Sequence, residues 1–403
     1  MRILFITDNF PPEVNAPATR TYEHCMEWMK QGVEVTVITC APNFPKGKVY
    51  PGYKNKLRQV EYINGIKVIR VWSYITANEG FVKRILDFMS FGFTAFWAGL
   101  FVKTDMIIAT SPQFFTTPTG WLLSVFKRKP WVFEVRDLWP ESIKAVSAIN
   151  ENSRIFKYLE KLEMFLYRRA TMIITVTEAF KKNIAGRGID EKKIHVVKNG
   201  ANLNLFQPKD KCMELLKELG LQDKFIVGYI GTHGMAHKLD FFLNFAKETE
   251  NDNVHFLFLG EGAEKQNLLR IAKENGITNV LFLDNVAKDK VIDYVSIVDV
   301  ALVHLKRSDT FKTVIPSKIF ESAAMRKPIL LGVEGESKEI IENFNAGLCF
   351  IPEDKESFLN CLYEMKDDKL LYAEFQKGCE ELVKEFDRVK LAERMLSYLK
   401  ELN

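Results

Sequence analysis

Several stretches of the chain combine residue types that act on anions and polyols. In Pro316-Ser317-Lys318-Ile319-Phe320-Glu321, the proline suits the first turn of a helix predicted over Lys318–Met325. The free amides of such a turn hold an anion without a buried counter-charge. Ser317 adds a hydroxyl at the same place. Glu321, one turn on, returns toward the anion, where a carboxylate can accept both hydroxyls of a ribose. A second run, Gly231-Thr232-His233-Gly234-Met235-Ala236-His237-Lys238, follows a strand-like segment and precedes a helical one. Its Lys238 is the kind of group that stabilises a departing diphosphate, on which charge grows. His233 and His237 are candidate contacts or ordinary loop histidines, and Gly231 and Gly234 allow a ligand close to the backbone.

The N-terminal half offers a different set. Arg136-Asp137-Leu138-Trp139-Pro140-Glu141-Ser142 leaves a strand-like run, and Asp137 and Glu141 are its carboxylates for polar contact with a sugar. Trp139 suits either a sugar face or the core. The run Thr7-Asp8-Asn9-Phe10-Pro11-Pro12-Glu13, continued by Pro17-Ala18-Thr19-Arg20, has no glycine, and its prolines fix its shape. Glu13 and Arg20 are candidate ligand contacts or a surface ion pair. The turn Thr110-Ser111-Pro112-Gln113 closes another strand-like run.

Such residues need strand ends to position them. Continuous apolar runs, the mark of parallel strands covered on both faces, occur at Ile3–Thr7, Glu34–Thr39, Lys67–Val71, Met106–Ala109, Trp131–Val135, Met172–Val176 and His195–Val197. A second series occupies Phe225–Ile230, Val254–Leu259, Val280–Leu283, Val300–Val303, Pro328–Leu331 and Leu348–Phe350. Between them lies the turn-rich hinge Lys198-Asn199-Gly200-Ala201-Asn202. The pattern predicts an α/β protein of two doubly wound, Rossmann-like domains facing across a cleft, 1–200 with a C-terminal helix (about 385–403) crossing back to it, and 201–384. Neither GxGxxG nor a Walker loop is present, which disfavours a nicotinamide redox enzyme and a phosphate-loop nucleotidase.

Composition narrows the class further. The 403 residues are 47% hydrophobic and 27% charged, as in ordinary globular proteins. The net charge of +4, from 56 basic and 52 acidic side chains, lacks the dense basic stripe of a nucleic-acid binder. The six cysteines form no CxxC pair and read as reduced thiols; no zinc site and no N-terminal leader are expected. Phe88–Val102 is an uncharged apolar run rich in phenylalanine, shorter than the roughly 20 residues of a spanning helix. It reads either as a buried helix or as one that touches a bilayer from one side, with Lys83, Arg84 and Lys103 beside it.

Taken in order, the Thr7–Arg20, Arg136–Ser142, Lys198–Asn202 and Pro316–Glu321 stretches, the last followed by Lys327-Pro328, resemble the retaining nucleotide-sugar glycosyltransferases of the GT-B type. The chain is similar to the large bacterial glycosyltransferase family 4, and within it to L-fucosamine transferases of O-antigen and capsule synthesis. The resemblance runs from Ile3 to about Leu382. It implies that a nucleotide-sugar donor, UDP-linked, binds the C-terminal domain and that a polyprenyl-diphosphate-linked acceptor binds the N-terminal one. It implies no cofactor and no metal, front-face attack with retention, and a cytoplasmic protein peripheral on the inner face of the membrane. On this reading Lys238, Asp137 and Glu141 are catalytic. Glu321, Ser317, Lys318, Ile319, Thr313, Gly231, His233, Gly234, His237, Asn199, Glu13, Arg20 and Arg136 bind substrates. Thr313 stands where the family often has a first glutamate, and His237 where it often has arginine. Two alternatives remain open: a UDP-N-acetylglucosamine 2-epimerase, and a non-catalytic nucleotide-sugar-binding subunit.

Overall fold

The computed structural model describes residues 1–44, 46–76, 81–141 and 153–402. Ser142 therefore lies outside the described residues. The chain divides into two compact units, one formed by Met1–Lys198 with Arg388–Asn403, the other by Asn199–Asp387.

The first unit is built on an eight-stranded sheet. Its strands are β1 (Arg2–Ile6), β2 (Glu34–Cys40), β3 (Arg58–Ile63), β4 (Ile66–Val71), β5 (Met106–Thr110), β6 (Trp131–Val135), β7 (Met172–Thr175) and β8 (Ile194–Val196), in the order β3-β4-β2-β1-β5-β6-β7-β8. All pairings are parallel except β3 with β4. The parallel strands are apolar throughout because helices cover both faces. In β1, Leu4 and Ile6 enter one core, while Ile3 and Phe5 enter the other. The C-terminal helix Arg388–Lys400 completes the second of these cores with Leu391, Met395, Leu396 and Leu399. Trp28 on helix Ala16–Lys30 donates its indole N–H to Ala392 O at 2.9 Å, and Arg388 pairs with Glu23.

The strand β3 is absent from the sequence expectation. Its side chains alternate between exposed and half-buried, so it never forms a continuous apolar run. Its signal is instead the Asn64-Gly65 turn, where both residues take positive φ (48° and 88°), as a tight two-residue hairpin requires.

The second unit carries a wholly parallel six-stranded sheet: β9 (Phe225–Ile230), β10 (Val254–Leu259), β11 (Val280–Leu283), β12 (Val300–His304), β13 (Ile329–Gly332) and β14 (Gly347–Cys349), in the order β11-β10-β9-β12-β13-β14. The chain winds outward from β9 to β11, then returns to β12 on the other side of β9. That reversal opens a crevice at the carboxyl ends of β9 and β12, where ligands of doubly wound sheets bind. In the first unit the equivalent reversal lies between β1 and β5.

Candidate active site

In the second unit, the Gly231–Lys238 loop leaves β9 at the reversal point, and Pro316-Ser317 leads into helix Lys318–Ala324. The two converge. From its helix on one face of the sheet, the Lys318 side chain crosses the end of β9 and sets its ammonium 3.5 Å from the ring centroid of Tyr229, whose side chain belongs to the opposite core. The crossing point is Gly231, at φ +150°; a Cβ there would stand 2.9 Å from Lys318 Nζ. The positive φ favours glycine at 231, and a side chain there would also push the end of Lys318 aside. Gly234 differs, since its backbone is extended and a Cβ would meet only ordinary contacts.

Around the Tyr229 ring lie the His233 and His237 imidazoles, with centroids 5.9 and 5.7 Å away. His233 is fully buried and neither ring nitrogen has a hydrogen-bond partner among the described residues. His304, the last residue of β12, is packed between Phe241 and Phe350 and bonds His237 O through Nδ1 at 2.9 Å. Burial holds these imidazoles neutral, pushing His233 and His304 down to about 4 and His237 to about 3. Desolvation likewise pulls Lys318 down to about 7, against the opposing pull of Glu321.

The remaining expected residues of this unit take varied positions. Glu321 is half-buried one turn beyond Lys318, and both line a small recess with Gly228, Ile230, Val295 and Val298. Ser317 caps the helix by position but makes no side-chain cap bond. Thr313 donates its hydroxyl to Thr310 O at 2.8 Å. Ile319 is a fully buried core side chain whose N–H bonds Pro316 O. Lys238, at φ +47°, holds Asp240 at 2.6 Å, and this bond raises its pKa. Asn199 opens the unit, two residues before Ala201, whose N–H bonds Phe386 O at 3.0 Å.

In the first unit, the loops after β1, β5 and β6 bring together Asp8, Ser111, Arg136 and Asp137. Ser111 Oγ accepts the backbone N–H groups of Arg136 (2.7 Å) and Asp137 (3.1 Å), fixing that turn. Desolvation lifts the Asp137 carboxyl to about 6, against the charges of Arg136 and Arg84, and raises Asp8 as well. Arg136 is drawn down to about 10 by burial and donates to Pro17 O at 3.1 Å. Glu141 is half-buried at the end of the same segment. Trp139 is 5% exposed and stacks on Phe114 at 5.2 Å, which makes it core.

Two expected contacts serve the fold instead. Arg20 is buried and spends its guanidinium on Glu134 (3.0 Å) and on the carbonyls of Val197 and Lys198, both at 2.9 Å. Glu13 accepts the N–H groups of Asn43 (2.7 Å) and Phe44 (2.9 Å), and burial lifts it to about 7. Arg20 is therefore a tie between helix Ala16–Lys30, β6 and the end of the N-terminal sheet. Both it and Glu13 are buried, and among the described residues no bond joins the two. Among the described residues no cluster of His, Cys, Asp and Glu could hold a metal ion.

The sequence reading missed Tyr229, His304 and Asp8 as members of these groups. Tyr229 and His304 stand out only as polar-tipped residues inside otherwise aliphatic parallel strands. Asp8 lies inside a motif already singled out, directly after a buried strand.

Residues 15–200 match the glycosyl transferase 4-like domain, and residues 213–385 match the glycosyl transferases group 1. The chain is 24% identical over 371 residues to WcaI of Escherichia coli (strain K12), named as a colanic acid biosynthesis glycosyl transferase, covering 89% of this chain and 90% of WcaI. Among solved structures, the sucrose-phosphate synthase of Thermosynechococcus elongatus superposes with a TM-score of 0.77 at 17% identity, covering 100% of this chain and 98% of that one. Anabaena HepE in complex with UDP and glucose gives 0.77 at 15% identity, with 100% of both chains covered. Two glycosyltransferase domains in tandem, each on its own doubly wound sheet, place the chain in the group 1 glycosyltransferases of the GT-B fold.

Proposed function

We propose that the protein is a retaining glycosyltransferase that moves a sugar from a UDP-linked donor to a polyprenyl-diphosphate-linked saccharide during polysaccharide assembly. The observation that carries this reading is the meeting of Lys318, Glu321 and the Gly231 loop at the reversal point of the second sheet. On this reading the cation takes the diphosphate and the carboxylate, one turn on along the same helix, takes the ribose of one nucleotide. HepE, which shares the fold, binds UDP and glucose, and WcaI is named for polysaccharide synthesis. N-acetyl-L-fucosamine as the sugar rests on the sequence resemblance. Asp137, with its proton affinity raised, and Glu141 are the groups offered to the acceptor in the first unit.

A lipid-linked acceptor requires the protein to work at a bilayer surface. No described helix is long and apolar enough to cross one. Helix Phe81–Leu100 is instead two-faced. Phe91, Gly92, Ala95 and Gly99 are buried, whereas Phe93 (66% exposed), Trp97 (52%) and the following Phe101 (83%) point outward. Exposed Lys83, Arg84 and Lys103 flank this stripe. Aromatic side chains with basic neighbours suit an anionic lipid surface.

The test is a donor screen of UDP- and GDP-sugars against a short polyprenyl-diphosphate saccharide, with the product's anomeric configuration read by NMR. Transfer with retention supports the reading. Epimerised UDP-sugar in the absence of acceptor would favour the epimerase instead, and nucleotide binding without turnover would favour a non-catalytic subunit.

A further inference from the structure

Helix Phe81–Leu100 does not stand alone on its side of the first sheet. Helix Thr116–Lys127 packs against it along a close seam. Two glycines build that seam. A Cβ on Gly99 would stand 2.6 Å from Leu123 Cδ1, and one on Gly92 would stand 3.0 Å from Phe115 O and Thr119 Oγ1. Thr119 donates its hydroxyl to Gly92 O at 3.0 Å. Where the two helices end, Lys127 donates to the carbonyls of Leu100 and Val102 at 2.9 and 2.8 Å. The two helices are thus tied at both the seam and the end.

The inner face of this pair enters the core with Phe91, Ala95 and Leu123. The outer face is apolar as well. Leu122 (37% exposed), Val125 (56%) and Phe126 (66%) join Phe93, Trp97 and Phe101 in the open. Phe96 links the two rows, edge-on to Trp97 at 5.8 Å and to Phe126 at 5.5 Å. On the opposite face of the same sheet, helices Ala16–Lys30 and Arg388–Lys400 expose no large apolar side chain among the described residues. An apolar patch confined to one helical layer marks an interaction site.

Charge identifies the occupant. Residues 88–104 and 106–133 contain no Asp or Glu, and Asp105 between them is held by Arg2 at 2.7 Å. Exposed cations stand at both ends of the pair: Lys83 and Arg84 where the first helix begins, and Lys103, Arg128 and Lys129 where both helices end. A second copy laid on this face about a two-fold axis would set cation against cation with no acid between them. A layer of anionic headgroups answers both ends at once, and the boundary of the acyl chains takes the aromatics.

We propose that helices Phe81–Leu100 and Thr116–Lys127 form one platform that lies flat on an anionic bilayer, with both axes in the membrane plane. This deepens the bilayer contact of the proposed function and rests on its reading of the acceptor as lipid-linked. The consequence is an orientation. Helix Phe81–Leu100 starts after the carboxyl end of β4 and finishes before the amino end of β5, so it runs back along the strands for about 30 Å. The strands therefore also run along the membrane. The reversal point between β1 and β5 opens sideways at headgroup depth, and Lys83 and Arg84 stand at that same end of the sheet. A diphosphate anchored in the bilayer can meet it without leaving the headgroup layer.

The experiment is cosedimentation with phosphatidylcholine vesicles, with and without phosphatidylglycerol. The proteins are the full chain, Val125→Glu/Phe126→Glu on the second helix, and Lys30→Glu, which makes the same change of two charges on the opposite layer. The wild type and Lys30→Glu should bind only the anionic vesicles. The double variant changes exposed side chains alone and should bind them about tenfold or more weakly. Hydroxyl-radical footprinting of the wild type needs no variant, and vesicles should protect Phe93, Trp97, Phe101 and Phe126 together. Undiminished binding of the double variant, or protection confined to the first helix, would overturn the platform. A dimer without vesicles that the double variant dissolves would make the face a contact between copies and overturn it too. Transfer to a polyprenyl-diphosphate saccharide in detergent, with no binding to vesicles, would overturn the platform and leave the acceptor reading standing. Vesicle binding in the expected pattern without that transfer would overturn the acceptor reading and support the docking face.

Discussion

Replacing Lys318 with methionine should stabilise the protein while impairing it, and the gain should depend on pH. In the unfolded chain a lysine titrates near 10.4; in the fold desolvation draws this one down to about 7. Between those two values the unfolded chain binds more protons than the folded one, so wild-type stability rises with pH across that window. A shift of that size corresponds to about 4–5 kcal/mol of cost at neutral pH and below, at ~1.4 kcal/mol per unit. The Tyr229 ring, 3.5 Å away, returns about 2 kcal/mol to a desolvated cation. Methionine matches the stem and removes the charge, so a gain of about 2–4 kcal/mol is expected at pH 7, consistent with apolar replacement of unpaired buried charge. By pH 9 the gain should shrink by about 2 kcal/mol, because the wild-type lysine is then neutral when folded. Denaturant melts of both proteins at pH 7 and 9, followed by a probe in the second unit, read this difference directly. A variant less stable than wild type at pH 7, or a gain that does not change with pH, would refute the reasoning.

The other expectations are simpler. Arg20→Met strands Glu134, already short of a partner on one oxygen, inside the first unit and should cost about 3–5 kcal/mol in denaturant melts; a loss below about 1 kcal/mol would mean the pair is dispensable. Lys238→Ala, on a half-exposed residue paired with Asp240, should change donor affinity little, so a large rise in KM for the donor would restore it to the diphosphate. The triple variant Phe93→Ser, Trp97→Ser, Phe101→Ser should keep its melting temperature, since all three side chains are exposed, and should no longer sediment with anionic vesicles. Unchanged sedimentation would place any lipid contact elsewhere.

Much of the fold is legible because parallel strands are buried on both faces and so write themselves as unbroken apolar runs. The strand β3 escapes that rule, being an edge strand with every second side chain near solvent. Helix Phe81–Leu100 escapes it for the opposite reason. Phe91 and Phe93 are both aromatic, yet one is core and the other is open, and only the packing of the neighbouring helices separates them. At the site, the residue types near Pro316 and Gly231 announce anion chemistry. What they cannot announce is that Lys318 reaches across the end of β9, since nothing in the sequence couples 318 to 229 and 231. The tie between Arg20 and Glu134 spans 114 positions and is hidden in the same way, so a buried structural arginine looks like a ligand contact. Among the glycines, Gly231 and Gly234 look alike in sequence, and only the backbone angle and the neighbouring ammonium distinguish them.

The central claim is that helix Lys318–Ala324 and the loop after β9 hold a nucleotide. Titration of UDP into the wild type and into Glu321→Gln at one pH tests it most directly. If Glu321 accepts the ribose hydroxyls, the variant should lose about 1.5–3 kcal/mol, the range for hydrogen bonds to a charged group, read as roughly 10- to 150-fold weaker binding with the melting temperature of the free protein unchanged. Equal affinity for UDP in the two folded proteins would contradict the account.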